Sequence, residues 1–385
     1  MRTRLTLVNV ILCSAFGAGC VLAGASAASP GDPIPQAPAT ATPWPAQPPP
    51  VRPIYIVDPN GQGVLSRILM VDPDQPEVAR TITTRFLPDL AISADGQRLY
   101  VADSYRAQVT RGEQRDVMSV YDALSGELLV DDIPVPQRLL YKGFPLGDPF
   151  VFLSEDERHL YVMKYGEADI QRLRLSVLDP STLQMLHEGD WPTCGHRLRV
   201  RSGGWLCANG VSLDVIDPLR GTVIETLLAV PGGQVTAWLL AANGERLYVS
   251  YAGGALVGID LPARDIVATG RLRWNASWQV VWGSALLSPD GARLYLGFDT
   301  GDDDYQVFAD AIAVYATATG ERLAAIELPD SVTQFALSAE GDQLYAVSPF
   351  AQSLAIFDTT TFQVLDVMSD LGGAPAAIVV PSAGR

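Results

Sequence analysis

The sequence predicts an all-β protein: a seven-bladed β-propeller of four-stranded antiparallel blades. Three observations support this fold class. A pattern recurs about every 47 residues from residue 54 onward, tight-hairpin signals occur in several copies of it, and no convincing helix-period segment interrupts it. Four strands in a repeat of this length are typical of a propeller blade.

The first half of each repeat is predicted to be a β-hairpin. An apolar strand is followed by Ser-x-Asp-Gly and then by Leu-Tyr at residues 93–100 and 288–295, and by the same pattern with Glu for Asp at 338–345. Asp-Gly between two apolar runs indicates a tight turn, because glycine accepts the positive φ that such turns require. One aromatic residue marks this strand in each of the seven repeats: Tyr55, Tyr100, Tyr161, Trp205, Tyr248, Tyr295 and Tyr345.

The second half of each repeat is a strand that in most copies ends in Asp, then a short turn and a further strand. Examples are residues 120–122, 177–179 and 356–358. The first repeat begins at its second strand, and the sequence ends in a spare strand at 377–380. We therefore expect the C-terminal strand to become the innermost strand of the first blade, which closes the ring and leaves no open sheet edge.

The segment before the repeats is predicted to direct export. Residues 1–27 have the charge and apolar pattern of a signal peptide, and Ala25-Ser26-Ala27 fits a signal-peptidase site. Alternatively, residues 17–20 form an imperfect lipobox, in which case the signal ends before Cys20 and Cys20 carries a lipid. Residues 28–53 form a Pro-rich linker, and residues 54–385 form the propeller. The protein is thus expected in the periplasm or another extracytoplasmic space, soluble or lipid-anchored.

Charge and cysteine content narrow the function classes. Loss of Arg2 and Arg4 with the signal would take the net charge from −16 to −18, which argues against binding to nucleic acid and against a membrane contact other than a lipid anchor. Cys194 and Cys207 form an even pair in an oxidising compartment and are predicted to form a disulfide. We predict no metal site and no catalytic residue in this chain, since no known catalytic motif is present.

Two repeats carry insertions, at residues 103–116 and 299–309, and insertions on a rigid scaffold often carry the specific function. The first mixes arginines, carboxylates and an aromatic residue in a loop ahead of a regular strand, which points to a ligand or partner contact. Its candidate site residues are Tyr105, Arg106, Arg111, Glu113 and Asp116.

Several blocks together resemble the heavy chain of methylamine and aromatic amine dehydrogenases. The Arg-Gly-Glu loop at residues 110–116 leads into a strand at 119–122, as it does in that family. Further blocks follow in the family's order: 86–88, 192–196 with Cys207, 276–279, 319–323 and 373–375. The resemblance extends over most of residues 54–385.

This resemblance implies a non-catalytic heavy subunit of a periplasmic quinoprotein. The tryptophan tryptophylquinone cofactor would reside on a separate small subunit, and electrons would pass to a small copper protein or a cytochrome. The heavy chain would dock the small subunit and shape the amine entrance, with Tyr105 as the gate aromatic. Trp278 and Gln279 match a Trp-Gln pair of the family. The acidic segment 300–308 departs from the mixed charge expected there.

Three functions therefore compete at this point. The chain is an amine-dehydrogenase heavy subunit, a stand-alone surface-tethered binding or scaffold propeller with YVTN-type repeats, or a lactonase-like hydrolase. The lactonase reading requires a central metal cluster of carboxylates and His, and the sequence has only three histidines. A small cysteine-rich partner chain would distinguish the first function from the second.

Overall fold

The computed structural model describes residues 53–59, 66–106, 114–135, 151–154, 156–165, 173–191, 196–199, 205–208, 212–217, 219–229, 235–241, 243–301 and 308–381. These residues form 28 β-strands in seven four-stranded antiparallel sheets, with no helix among them. Within each sheet the strands are named A to D from the inside of the ring outward. The A strands of most neighbouring sheets contact one another, as expected around the axis of a propeller. The predicted fold class is thereby confirmed.

The first four blades comprise the following strands, in the order A to D. Blade 1 has β28 (Ala377–Val379), β1 (Ile54–Asp58), β2 (Ser66–Asp72) and β3 (Glu77–Thr84). Blade 2 has β4 (Phe86–Ile92), β5 (Arg98–Arg106), β6 (Gln114–Asp122) and β7 (Leu128–Pro134). Blade 3 has β8 (Val151–Leu153), β9 (Leu160–Tyr165), β10 (Leu173–Leu178) and β11 (Met185–Trp191). Blade 4 has β12 (His196–Arg199), β13 (Trp205–Ala208), β14 (Ser212–Ile216) and β15 (Val223–Ala229).

The remaining three blades repeat the same order. Blade 5 has β16 (Val235–Leu240), β17 (Arg246–Tyr251), β18 (Ala255–Asp260) and β19 (Asp265–Arg271). Blade 6 has β20 (Gln279–Leu287), β21 (Arg293–Asp299), β22 (Ala309–Ala316) and β23 (Arg322–Val332). Blade 7 has β24 (Gln334–Leu337), β25 (Gln343–Ser348), β26 (Ser353–Asp358) and β27 (Val364–Met368).

The aromatic residues that defined the repeat occupy equivalent places in the structure. Each lies on strand B of its blade, and each is buried, with exposures between 0% for Tyr55 and 8% for Trp205. Strand B is the second strand from the axis, and its side chains face the neighbouring blades. The repeat therefore reflects the need of every blade to bury one large side chain against its neighbour.

Apolar side chains fill each junction between neighbouring blades. Among the described residues there are seven core clusters, and each one combines side chains from two adjacent blades. One of them joins blade 7 to blade 1 through Tyr345, Val347, Ile54 and Ile378. Seven junctions between seven blades make a closed circle. The buried apolar side chains are therefore distributed around the whole ring.

The ring closes through the C-terminal strand, as predicted. β28 pairs antiparallel with β1, Ile378 facing Ile56. Asp58, at the end of β1, is fully buried and accepts hydrogen bonds from Arg67 Nε at 2.8 Å and from the Ala374 amide at 2.9 Å. Arg67 also donates to the Leu371 carbonyl at 2.5 Å. One carboxylate thus connects the first strand of the propeller to the segment that leads into its last strand.

The strand directions divide the ring into two faces. Strand A runs towards the face that carries the A–B and C–D turns, which we call the A–B face. The opposite face carries the B–C turns and the links from each blade to the next, and we call it the B–C face. The Ser-x-Asp-Gly hairpins lie on the A–B face, where Ser93 Oγ donates to Asp95 at 2.5 Å and Gly96 has a φ of +69°. These aspartates therefore form turns, as the sequence predicted.

The aspartates that end the C strands cap the C–D turns in the same way. Asp179 accepts the Ser181 and Thr182 amides at 2.8 and 2.9 Å and the Ser181 hydroxyl at 2.6 Å. The hydroxyl bond is the main cause that lowers the pKa of Asp179 to about 2. Hydrogen bonds to the charged form lower the pKa of other turn aspartates: Asp95, Asp122, Asp156, Asp290 and Asp358.

We expect acid to destabilise the fold through these turns. A carboxyl whose pKa is lower in the folded state contributes stability above its unfolded pKa of 3.8 and loses it as the pH falls through its folded value. The urea midpoint should therefore fall between pH 4 and pH 2, and Asp179→Asn should make that fall shallower. Urea titrations at several pH values measure both. A midpoint that stays constant over this interval would contradict the assignment.

Candidate functional site

The predicted site residues that the structure describes lie on the B–C face. The backbone of Tyr105 and Arg106 is at the end of β5, and Asp116 is near the start of β6. Trp278 and Gln279 lie where the link from blade 5 enters blade 6. Blades 1 and 7 separate blade 2 from blade 6, so the structure places the two groups on one face but does not bring them together. The structure does not describe Arg111 and Glu113, nor the side chains of Tyr105 and Arg106.

The first insertion lengthens a β-hairpin. β5 and β6 have nine residues each, against six in β17 and β18 of blade 5. The expectation of a loop from Tyr105 to Asp116 is therefore wrong at both ends, because Tyr105 pairs with Arg115 and Arg106 with Gln114. Strand B continues six residues beyond its aromatic residue in blade 2 and three in blade 5. The paired part thus extends about 10 Å further at the B–C face.

Arg85 braces one side of the hairpin base. It lies in the single-residue link between blades 1 and 2, and its amide donates to Asp103 at 2.8 Å. Its guanidinium donates to Ser119 Oγ at 3.2 Å and to Asp131 at 2.9 Å. The Arg85 bond is the main cause that lowers the pKa of Asp131. One arginine therefore joins strands B, C and D of blade 2, and the Asp103 carboxylate that it contacts is fully buried.

Ser104 and Asp116 brace the hairpin at the next residue pair. Ser104 Oγ donates to Asp116 Oδ1 across the two strands, and both residues are buried, at 1% and 2% exposure. The Asp116 carbonyl accepts the Val135 amide at 3.1 Å. Because successive side chains point to opposite faces of a strand, Asp103 and Ser104 secure the hairpin on both sides. Asp116 is therefore a buried residue of the hairpin base, and its predicted role in partner contact stays a prediction.

We expect the Arg85 brace to contribute to stability. Arg85→Ala should lower the free energy of unfolding by about 1–3 kcal/mol, because it removes the guanidinium bond to the buried Asp103 carboxylate and the bonds to Ser119 and Asp131, whereas the backbone amide bond to Asp103 is kept. Arg158→Ala is the control: Arg158 is 81% exposed and lies 3.7 Å from its acidic partner, so its loss should cost less than about 1 kcal/mol. If urea unfolding shows equal losses of the free energy of unfolding for the two variants, Arg85 does not have the stabilising role described here.

Trp278 packs in an aromatic cluster at the entry to blade 6. The rings of Trp274 and Trp278 lie 5.4 and 5.2 Å from the ring of Phe298, which is fully buried. Gln279, the first residue of β20, is exposed and faces Asp299 across the strand pair. Sequence reasoning identified Trp278 and Gln279 but missed Trp274 and Phe298. The cluster secures this link, with Gln279 at its exposed end.

A second aromatic group on the B–C face was also missed. Phe350, in the B–C turn of blade 7, is 64% exposed. Its ring lies 4.8 Å from the ring of Phe308, which precedes strand C of blade 6, in a T-shaped arrangement. Phe308 falls in the second predicted insertion, but Phe350 occurs in an ordinary short turn. The sequence pattern gave no signal for it.

The structure tests the cysteine and metal predictions only in part. Cys207 is buried on β13 and is disulfide-bonded, whereas Cys194 and Cys20 are outside the described residues. The pairing of Cys194 with Cys207 and the lipid on Cys20 stay predictions. Within the described ranges, no three His, Cys, Asp or Glu side chains are arranged to hold a metal ion, and no helix is long and apolar enough to span a membrane.

A cavity of about 480 Å³ opens on the A–B face. It lies over blade 1, which has no A–B hairpin because its A and B strands come from opposite ends of the chain. Pro53 precedes strand B of this blade and Pro381 follows its strand A, and Asp95 and Glu340 belong to the flanking hairpins. The cavity is therefore a consequence of ring closure and lies on the face opposite the predicted site residues.

The ring of seven four-stranded blades defines the class of this protein as a seven-bladed β-propeller. Residues 50–199 match the family model described as methylamine dehydrogenase heavy chain. The matched segment contains strands B to D of blade 1 and all of blades 2 and 3, and therefore the long hairpin of blade 2.

Curated relatives extend this similarity along the chain. The methylamine dehydrogenase heavy chain of Methylophilus methylotrophus is 20% identical over 342 residues, which cover 85% of this chain and 83% of the relative. The heavy chain of Paracoccus versutus is 23% identical over 353 residues, covering 86% and 79%. The predicted resemblance to amine-dehydrogenase heavy chains is confirmed.

Solved structures share the fold. The periplasmic gluconolactonase of Pseudomonas aeruginosa superposes with a TM-score of 0.61 at 15% identity, covering 86% of this chain and 99% of that chain. A putative 6-phosphogluconolactonase of Bacteroides uniformis gives 0.58 at 13% identity, with 86% and 99% coverage. At these identities the likeness concerns the fold alone.

Proposed function

We propose that this chain is the exported, non-catalytic heavy-chain-like subunit of an amine dehydrogenase and that it docks a small subunit on its B–C face. One observation carries the proposal: the family match spans the blade whose B–C hairpin is longer and braced at its base. A hairpin that extends about 10 Å further than that of blade 5 offers a surface that blade 5 lacks.

The hairpin would shape the entrance for the amine. Tyr105 and Arg106 lie on its outer part, and Arg111 and Glu113 belong to the segment that connects its strands. A paired hairpin with a buried, hydrogen-bonded base holds such groups in place, which lowers the entropic cost of binding. Trp278 and Gln279 would supply a separate contact near blade 6.

The chemistry would occur on the partner. A tryptophan tryptophylquinone on the small subunit would oxidise the amine, and a small copper protein or a cytochrome would accept the electrons. The acidic net charge of this chain favours partners with basic surfaces, because charge complementarity speeds encounter.

We further propose that the chain is exported. Residues 1–27 would be removed as a signal peptide, or Cys20 would carry a lipid after cleavage at the alternative site, and a disulfide between Cys194 and Cys207 would form in the oxidising compartment. The Pro-rich linker, residues 28–53, reaches the ring at Pro53 on the A–B face. A tether attached there would leave the B–C face free for a partner.

Purification from the native host tests this function. A tagged chain isolated in mild detergent should carry a small second chain that stains for quinone in a denaturing gel. A lone band of about 40 kDa without quinone would refute the proposal and favour a stand-alone tethered binding propeller.

A further inference from the structure

The cavity on the A–B face lies where blade 2, for example, carries its A–B hairpin. In blade 2 the turn residues 93–97 join β4 to β5, and the repeat aligns Tyr100 with Tyr55, 45 positions earlier. The same distance aligns residues 93–97 with residues 48–52, which directly precede Pro53 in the cavity wall. The chain therefore enters the ring from the wall of this cavity.

An apolar wall lines part of the cavity. Pro73 follows strand C of blade 1 at the position of Ala123 in blade 2, whose amide donates to the Gln97 carbonyl of the hairpin at 2.8 Å. Because proline has no amide hydrogen, blade 1 offers no such donor to an occupant. Further apolar residues of the wall are Leu124, Tyr345, Val380 and Pro381. The wall therefore suits a segment that forms few backbone hydrogen bonds, as proline-rich segments do.

The charge of the cavity is negative. The described residues that line it include neither Lys nor Arg but four carboxylates: Asp74, Asp95, Glu340 and Asp342. The hydrogen bond from the Ser93 hydroxyl is the main cause that lowers the pKa of Asp95, which is therefore ionised at neutral pH. Residues 33–57 contain no acidic residue and one arginine, Arg52. The segment before Pro53 thus complements the charge of the cavity.

We propose that residues 48–52, Pro-Pro-Pro-Val-Arg, bind in this cavity and take the place of the missing hairpin. Consecutive prolines favour the extended polyproline II conformation, which binds aromatic-lined grooves at a small entropic cost. The last part of the Pro-rich linker is then held against the ring, and the tether leaves from a fixed point on the A–B face. The inference goes beyond the proposed function and does not depend on it.

A photo-cross-linking amino acid at position 339 tests this contact in the chain purified from the native host. Ala339 lies in the cavity wall, so mass spectrometry should locate an intramolecular cross-link within residues 48–52. The control is the same amino acid at position 243, in the A–B hairpin of blade 5, which should give no cross-link to this segment. A cross-linked dimer, or a cross-link from 339 confined to other residues such as 382–385, would overturn the inference.

Thermal unfolding gives a second measurement. Replacing residues 48–51 by Gly-Ser-Gly-Ser keeps the length of the linker but removes its apolar contacts with the cavity, so the unfolding midpoint should fall by about 2 °C or more. The same replacement at residues 35–38, Pro-Gln-Ala-Pro, is the matched control and should leave the midpoint unchanged. If both variants unfold at the same temperature, the inference is wrong, and the proposed function, which co-purification of a quinone-bearing chain tests, is unaffected.

Discussion

Replacing Gly373 by alanine is expected to cost this protein about 3 kcal/mol or more of folding stability. Gly373 has a φ of +65°, a conformation that residues with a Cβ rarely adopt, and a Cβ at this position would overlap the carboxylate of Asp58. Asp58 cannot move aside without losing its bonds to Arg67 and to the Ala374 amide. The strain would therefore fall on the contact that closes the ring.

Gly96→Ala is the matched control for this substitution. Gly96 has nearly the same φ, +69°, but a Cβ there would meet nothing within 4 Å. It should cost only the backbone penalty of about 1–2 kcal/mol. Urea unfolding followed by tryptophan fluorescence measures both variants. Equal losses would show that the contact between Gly373 and Asp58 does not contribute to closure.

Shortening the blade 2 hairpin is expected to abolish binding of the small subunit while the ring stays folded. Asp103 and Val117 face each other in the strand pair, so residues 104–116 can be replaced by a two-residue Asn-Gly turn, which suits this geometry. The Arg85 brace at Asp103 is retained in this variant. Affinity for the small subunit should fall about 100-fold or more, measured on the native complex.

A hairpin of unchanged length serves as the control. Replacing Tyr105 and Arg106 by serine keeps the strand pairing and removes only two side chains. If this variant binds the subunit normally but admits larger amines, the hairpin acts by its length and the side chains act at the entrance. Full binding by the shortened variant would refute a docking role for the hairpin.

Most of the fold could be predicted because its determinants are local and repeated. Each repeat contains its own determinants: the aromatic residue of strand B, the Asp-Gly turn and the capping aspartate. Every blade also packs against its two neighbours in the same way. Ring closure through β28 could be predicted because the first repeat begins at its second strand and the sequence ends in a spare strand. Tyr55, Tyr161 and Trp205 are accordingly buried where the repeat places them.

The details of the candidate site could not be predicted in the same way. Arg85 contacts Asp131 across 46 positions of the sequence, and no local pattern pairs residues so far apart. The first insertion looked like a loop because its polar sequence lacks a strand pattern, whereas the buried Asp103 and Asp116 extend the pairing. Phe350 gave no signal because a single aromatic residue in a turn is common, and only its exposure beside Phe308 distinguishes it.

The visible absorption spectrum of the natively purified complex tests the central claim most directly. If the chain is a heavy-chain-like subunit, the preparation should absorb visible light through a quinone on a small second chain, and addition of a primary amine should bleach that absorbance. A colourless preparation with no second chain and no response to amines would contradict it.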